Sequence, residues 1–458
     1  MEGRMISEPS PGVTYARRLG LFSGVMMVIG GIIGAGIFRS PQVVAQRVLT
    51  PGLTLGAWVL GGVIALAGAF VYAELGGRFP RAGGQYVYLR DALGPFPAFL
   101  YAWALLLMIA TGAIAAVAVT FADYTISLLG LGAVARLPLA AGSIILLSAV
   151  NYTGVRPGAI TQNIFTILKL LALGAVIAAG IAALAGLVPS DDEARTAMAG
   201  PSNVILALGA ALVPVLFSYG GWQQTNFIAE EIIAPERNLP RALVIGVIGV
   251  VLVYVLANFT YLQTLGAAGL AASSAPAADA MERLLGPAGR TLISAGIAVS
   301  TFGFLNLVIL VTPRVVQAMA ADGLFIPSLA RLHPRFRTPA AAIVLQGIWA
   351  LVLVRSGRYG ELLDYVVFAD WIFFGLTAVT LFVYRARERG GQAAAGYTGF
   401  RAPGFPVVPL FFIAAALYVV VGSVASNPGN ALRGMGLLAL GVPVYLWGRR
   451  SRVVKQNQ

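Results

Sequence analysis

The sequence predicts an all-α integral membrane protein of twelve transmembrane helices, and three observations carry that reading. The 458 residues are 58% hydrophobic and only 11% charged, where a soluble protein carries about a quarter. The apolar residues come in blocks of roughly 20, the length that crosses a hydrocarbon core of about 30 Å. The basic residues are shared unevenly between alternate connecting segments, the pattern that sets orientation in a bilayer.

Taken in order, the spans fall at about 20–47, 53–79, 96–128, 137–153, 159–187, 203–230, 240–266, 287–320, 339–355, 361–385, 404–425 and 431–448. The polar first 18 residues run into a full-length span without a small-residue cleavage site, so no cleavable signal peptide is expected. With the N-terminus inside, the cytoplasmic segments hold 20 basic residues, from Arg4, Arg17 and Arg18 to Arg449, Arg450, Arg452 and Lys455. The outer segments hold 8: Arg47, Arg136, Arg195, Arg283, Arg290, Arg355, Arg358 and Arg433. Both termini are therefore expected in the cytoplasm and the chain in the cell membrane. The same distribution explains the net charge of +13 without a nucleic-acid partner. The longest polar breaks, Pro189–Asn203 outside and Ala321–Thr338 and Ala386–Phe400 inside, do not divide the chain, which reads as one membrane domain. The middle break mixes Leu324, Phe325, Ile326, Leu329 and Leu332 with basic residues and predicts a short amphipathic piece.

Composition also excludes several chemistries. With no cysteine, a disulfide-linked heavy subunit and a thiolate metal site are ruled out. The lone histidine, His333, stands between Leu332 and Pro334, reads as a solvated loop residue, and cannot make a metal cluster. No metal and no cofactor are expected, and the absence of a nucleophile–base constellation argues against an enzyme.

The first span contains VIGGIIGAGIFRSP, with Gly30, Gly31, Gly34 and Gly36 in seven positions. Glycine costs a helix interior about 1 kcal/mol relative to alanine. The sixth span is interrupted in the same way at Phe217-Ser218-Tyr219-Gly220-Gly221-Trp222. Each interruption opens a block of five spans, about 20–187 and 203–385. An odd number of spans inverts the second block relative to the first, and the spans at about 404–448 fall outside the repeat. Paired glycine-interrupted spans in corresponding positions point to the binding site of a secondary transporter.

A broken helix is tolerated in hydrocarbon only where it lines a cavity and its backbone groups find partners there. It then offers amides at the start of one half-helix, which attract anions, and carbonyls at the end of the other, which attract cations. A zwitterionic amino acid carries one charge of each sign on one carbon, so two such breaks can bind it without a charged side chain. Gly30-x-x-x-Gly34 also fits a helix-packing motif. A dinucleotide fingerprint is excluded, because Arg39 stands where its third glycine belongs and no strand precedes it.

Together these stretches resemble the amino acid–polyamine–organocation superfamily and, within it, the L-type amino acid transporter group. The carrying residues are Gly34-Ala35-Gly36-Ile37-Phe38-Arg39-Ser40-Pro41 and Phe217–Trp222, followed by Asn226-Phe227, Glu230-Glu231 and Arg237-Asn238-Leu239-Pro240. Tyr72-Ala73-Glu74-Leu75-Gly76 with Gly83-Gly84-Gln85-Tyr86 adds to the likeness, which covers spans one to ten. The resemblance implies a LeuT-like 5+5 inverted repeat with broken helices 1 and 6 plus two extra helices. It implies that the amides of Gly34, Ala35 and Gly36 hold a substrate carboxylate. The carbonyls of Ile32, Phe217, Ser218 and Gly220 would take the ammonium, and Phe217 would close over the substrate. Side-chain selectivity is expected from Ser218, Trp222, Gln223, Phe304 and Asp370.

Charges within the spans refine the expectation. The 31 basic residues include only two lysines, and one of them, Lys169, lies in the fifth span. An intramembrane charge is a functional hypothesis by default, and snorkelling to a helix end is the alternative. The resemblance implies that Lys169 bridges Gly30 and Ser300 in place of a sodium ion, which would make transport sodium-independent, or that it releases a proton during the cycle. Asp370 either faces the pocket, holding a proton or a cationic substrate, or is paired with an arginine or lines a water-filled cavity. Asp123 is expected to be solvated. Glu230 and Glu231 read as a gate or an interfacial salt bridge with Arg237 and Arg241. Pro313-Arg314 is accounted for only as a kink.

The resulting expectation is a sodium-independent exchanger of neutral L-amino acids working by alternating access. The alternative is a proton-coupled symporter of cationic amino acids or polyamines. A channel or a membrane sensor fits less well, since few spans show a polar stripe and no tail forms an output domain.

Overall fold

The computed structural model describes residues 13–187, 200–356, 359–391, 397–426 and 428–446. Every regular element among them is a helix, and the one strand-like pairing is an isolated parallel bridge between Leu19 and Ile232. Nine of the described helices are long and apolar enough to cross a membrane, and a bent pair makes a tenth. Two shorter apolar helices, Ala340–Ser356 and Ala431–Leu446, stand where the ninth and twelfth spans are expected. The chain is a multi-pass membrane protein.

The bent pair is α1 (Leu21–Ile32) and α2 (Gly36–Val48), which meet at 42°. Helix α3 (Pro51–Arg78) starts with proline at its first position, and the Thr50 hydroxyl accepts the Leu53 amide at 3.4 Å, a side-chain cap of the usual kind. After a glycine turn come α4 (Gln85–Leu93) and α5 (Pro95–Ala104). A π-helical turn, Leu105–Ile109, carries α5 into α6 (Ala110–Leu129), so that 95–129 form one span. Then follow α7 (Arg136–Tyr152), α8 (Val155–Leu184) and α9 (Val204–Ser218). A 3-10 segment, Trp222–Glu231, continues from α9.

Helices α10 (Pro235–Ala272) and α11 (Pro276–Ala321) each contain one non-helical residue, Gly266 and Gly286. The expected limits of spans seven and eight, 266 and 287, coincide with these breaks. The last helices are α12 (Ala340–Ser356), α13 (Tyr359–Arg389), α14 (Val407–Ser426) and α15 (Pro428–Ala439). Helices α3 and α10 pack along each other, and α11 packs against both α6 and α8. Small residues such as Gly62 on α3 permit the approach: a Cβ there would lie 2.7 Å from Val251, the close packing typical of helices in lipid.

Three expectations are refined. In the stretch 321–338 the short amphipathic piece is a single 3-10 turn, Pro327–Ala330; Leu324 and Leu329 are buried while Ile326 is half exposed. His333 organises its loop and is not simply solvated. Its Nδ1 accepts the amides of Arg335 and Phe336 at 3.3 and 3.2 Å, and its ring stacks on Phe336 at 4.6 Å. Asp123 pairs with Arg136 at 2.5 Å, both substantially exposed, a pair of little energetic weight. The outer break at 189–203, part of the inner break at 386–400, and the basic residues Arg4, Arg195, Arg358, Arg449, Arg450, Arg452 and Lys455 fall wholly or largely outside the described residues.

Candidate functional site at two broken helices

The first break begins where Ile33 takes an extended conformation, φ −76° and ψ 92°. The Gly34 amide folds back onto the Ile32 carbonyl at 2.9 Å, while the amides of Ala35 and Gly36 enter no described backbone bond. They are the orphan donors of a helix start. Gly36 is required by crowding, since a Cβ there would lie 2.9 Å from the Cα of Ser218.

The second break follows Ser218. The Gly220 amide donates to the Phe217 carbonyl at 3.2 Å, and the Gly220 carbonyl accepts no described bond. Gly221 adopts φ +103°, a left-handed conformation that favours glycine. A side chain there would overlap the Gly31 carbonyl, so the two breaks touch backbone to backbone. The Tyr254 hydroxyl on α10 lies 3.0 Å from the Ile32 carbonyl and 3.3 Å from the Ser218 carbonyl, tying the ends of α1 and α9 together.

Both breaks open into one cavity, with about 120 Å³ accessible to the centre of a water molecule. Ile32, Gly34, Ala35, Gly36, Phe217, Ser218, Gly220, Gln223, Phe304 and Asp370 all line it. Trp222 does not. Its indole is buried edge-on to Tyr72 at 4.9 Å and packs on Phe374 and Phe412, because the 3-10 turn after Gly221 swings it behind the wall. The backbone pattern is also narrower than expected. Gly34, Ile32 and Phe217 are engaged within the breaks, which leaves Ala35 and Gly36 as free donors and Gly220 as the free carbonyl. Phe217 is 40% exposed while lining the cavity, which places its ring at the rim. Asp370 is the one ionisable side chain among the lining residues and has neither a hydrogen bond nor a salt bridge among the described residues. The arginine-paired reading of Asp370 is thereby set aside.

Lys169 is fully buried, so it does not snorkel. Its ammonium donates to the carbonyls of Gly30 at 3.1 Å and Ile33 at 2.6 Å. The Ser300 hydroxyl reaches the Ile33 and Gly34 carbonyls at 3.3 and 3.4 Å. A cation and a hydroxyl thus satisfy the carbonyls that the break in α1 frees. Behind them, Thr166 donates to the Met26 carbonyl at 3.1 Å, and Asn306 bridges Gln162 and the Gly158 carbonyl at 3.0 Å. Tyr254, Gln162, Thr166 and Asn306 escaped the sequence reading, although each is a polar residue in a largely apolar span. The π-helical turn, whose Leu105 and Ile109 line the cavity, has no such signal. The Thr111 hydroxyl donates back to the Leu106 carbonyl at 2.7 Å within it, and π-turns often mark functional sites.

Comparison with known proteins shows the family. The family model for amino acid permeases matches residues 19–436. The chain belongs to the amino acid permease family. This bears out the resemblance to the amino acid–polyamine–organocation superfamily. The permease is 33% identical to the b(0,+)-type amino acid transporter 1 of Homo sapiens over 431 residues, 93% of this chain and 86% of the relative. It is 34% identical to the large neutral amino acids transporter small subunit 2 of Homo sapiens over 447 residues, covering 95% and 81%. It is 31% identical to the serine/threonine exchanger SteT of Bacillus subtilis over 439 residues, covering 95% and 97%.

Away from the cavity, buried polar contacts hold the end of the second broken helix. Glu231 pairs with Arg314 at 2.8 Å, both fully buried, and not with Arg237 or Arg241 as expected. This pair gives Pro313-Arg314 its account. The Arg314 guanidinium also donates to the Leu310 carbonyl and lies 5.9 Å from the Tyr15 ring. The Glu231 carbonyl accepts the amides of Arg18 and Leu19 at 2.9 and 3.0 Å, and the Ile233 amide donates to Leu19 at 2.8 Å. Glu230 instead accepts the Ala82 amide at 3.2 Å.

Proposed function

We propose that this chain is a sodium-independent exchanger of L-amino acids, chiefly neutral ones, that works by alternating access in the cell membrane with both termini cytoplasmic. The observation that carries the reading is the cavity where both helix breaks end, with free amides at Ala35 and Gly36 and a free carbonyl at Gly220. These groups suit the carboxylate and ammonium of an amino acid, and only binding is asked of them, so no enzymatic step is proposed. The relatives' names supply the substrate class. The walls formed by Phe304, Val308, Leu105 and Ile109 suit uncharged side chains.

Sodium independence rests on Lys169, whose ammonium already occupies the carbonyls where a coupling cation would sit. The packing supports twelve helices in a LeuT-like inverted repeat within one transport domain. Helix α3 meets α10, and α6 meets α11; α7 and α8 pack on α11 as α12 and α13 pack on α6. The contacts of one block are thus repeated by the other. With the N-terminus inside, the buried pair of Glu231 and Arg314 lies on the cytoplasmic side and Phe217 at the outer mouth, an outward-facing conformation.

The test is counterflow in proteoliposomes with neither sodium nor a pH gradient, using labelled alanine or leucine outside. Accumulation that requires unlabelled amino acid inside is expected. Accumulation that appears only with an inward proton gradient would replace exchange by symport.

A further inference from the structure

We propose that Asp370 is a specificity-determining residue that admits amino acids whose side chain ends in a positive charge. This rests on the reading of the cavity as an amino acid site and extends its substrate class. Asp370 lies on α13, which packs against α3, α4, α6 and α14, and it lines the same cavity as both helix breaks. The amides and carbonyl that suit the α-carboxylate and α-ammonium belong to residues that line the same cavity as this carboxylate. A zwitterion seated at the breaks has its side chain in the cavity that Asp370 lines.

A cation at this place balances the charge. A carboxylate in a membrane interior is costly unless paired. Among the described residues no other ionisable side chain lines the cavity, and Lys169 is held by the carbonyls of Gly30 and Ile33. The backbone charges of an amino acid cancel each other and leave Asp370 unmatched. A guanidinium or ammonium on the substrate side chain matches it.

The surrounding rings favour the same ligand. Trp371 and Phe374 flank Asp370 in the wall, with ring centres 5.4 Å apart, and Phe217 and Phe304 line the same cavity. Aromatic faces attract cations most strongly where water is excluded. A carboxylate bounded by aromatic rings selects a positive group over a neutral polar one of the same shape.

Arginine and citrulline supply that comparison, since they share length and planarity and differ in charge. In proteoliposomes of the unaltered protein, arginine is expected to inhibit labelled leucine counterflow at least tenfold more potently than citrulline. Labelled arginine should itself accumulate against internal leucine. In Asp370→Asn the potency ratio should collapse toward one, and in Asp370→Glu it should be partly retained. Equal potency of arginine and citrulline in the unaltered protein overturns the proposal while leaving leucine exchange, and thus the exchanger reading, intact. Leucine uptake that is driven by a pH gradient and loses that drive in Asp370→Asn, without preference for arginine, overturns it in favour of a proton as the cation. Failure of every amino acid to move would instead sink the exchanger reading on which the proposal rests.

Discussion

At the scale of single residues, Lys169 and Gly36 define what the first break needs. Removing the Lys169 ammonium leaves the Gly30 carbonyl unsatisfied in a dry interior, at about 1–3 kcal/mol, and leaves the Ile33 carbonyl only the Ser300 hydroxyl at 3.3 Å. Lys169→Ala is expected to slow counterflow more than tenfold while the protein still purifies as a folded species; full exchange in that variant would remove its assigned role. Gly36 faces the Ser218 backbone with no room for a side chain. Gly36→Val should therefore force α2 and α9 apart and weaken amino acid binding more than tenfold, read by competition against labelled leucine. Unchanged affinity would return the glycine motif to helix packing alone.

Among elements, the buried pair Glu231–Arg314 joins the second broken helix to α11, and the segment Tyr15–Leu19 lies across it. A buried ion pair contributes little net stability, but removing one partner costs about 3–5 kcal/mol because the other is left charged and alone. Arg314→Met is expected to lower the thermal unfolding midpoint clearly. Adding Glu231→Leu to the same chain should recover most of the loss. If the double variant is no more stable than the single one, the pair is not the source of the effect.

At the scale of the whole molecule, the cysteine-free sequence is a ready background for accessibility mapping. Arg39, near the cavity, and Arg387, at the end of α13, are both exposed and on opposite sides of the proposed membrane. Arg39→Cys should react with a membrane-impermeant maleimide in intact cells, and Arg387→Cys only after permeabilisation. The reverse pattern would invert the orientation. The outward-facing reading adds that excess internal substrate should reduce labelling at position 39 by drawing the population inward.

Much of this was legible in the sequence because lipid leaves few choices. Apolar block length, glycine interruptions and charge asymmetry follow from the cost of exposed backbone and of misplaced charge. They gave the helical class and the two broken spans, and Gly30 came with a family likeness that the comparisons bear out. Tertiary structure decided everything that depends on partners distant in sequence. Trp222 turns behind the cavity wall against Tyr72, Glu231 chooses Arg314 over its near neighbours, and Tyr254 ties two breaks that lie far apart along the chain. The same packing left Asp370 without a hydrogen bond or salt bridge among the described residues. Periodicity and composition report which groups cannot stay bare in a membrane, whereas the group that satisfies each of them is settled only when helices meet.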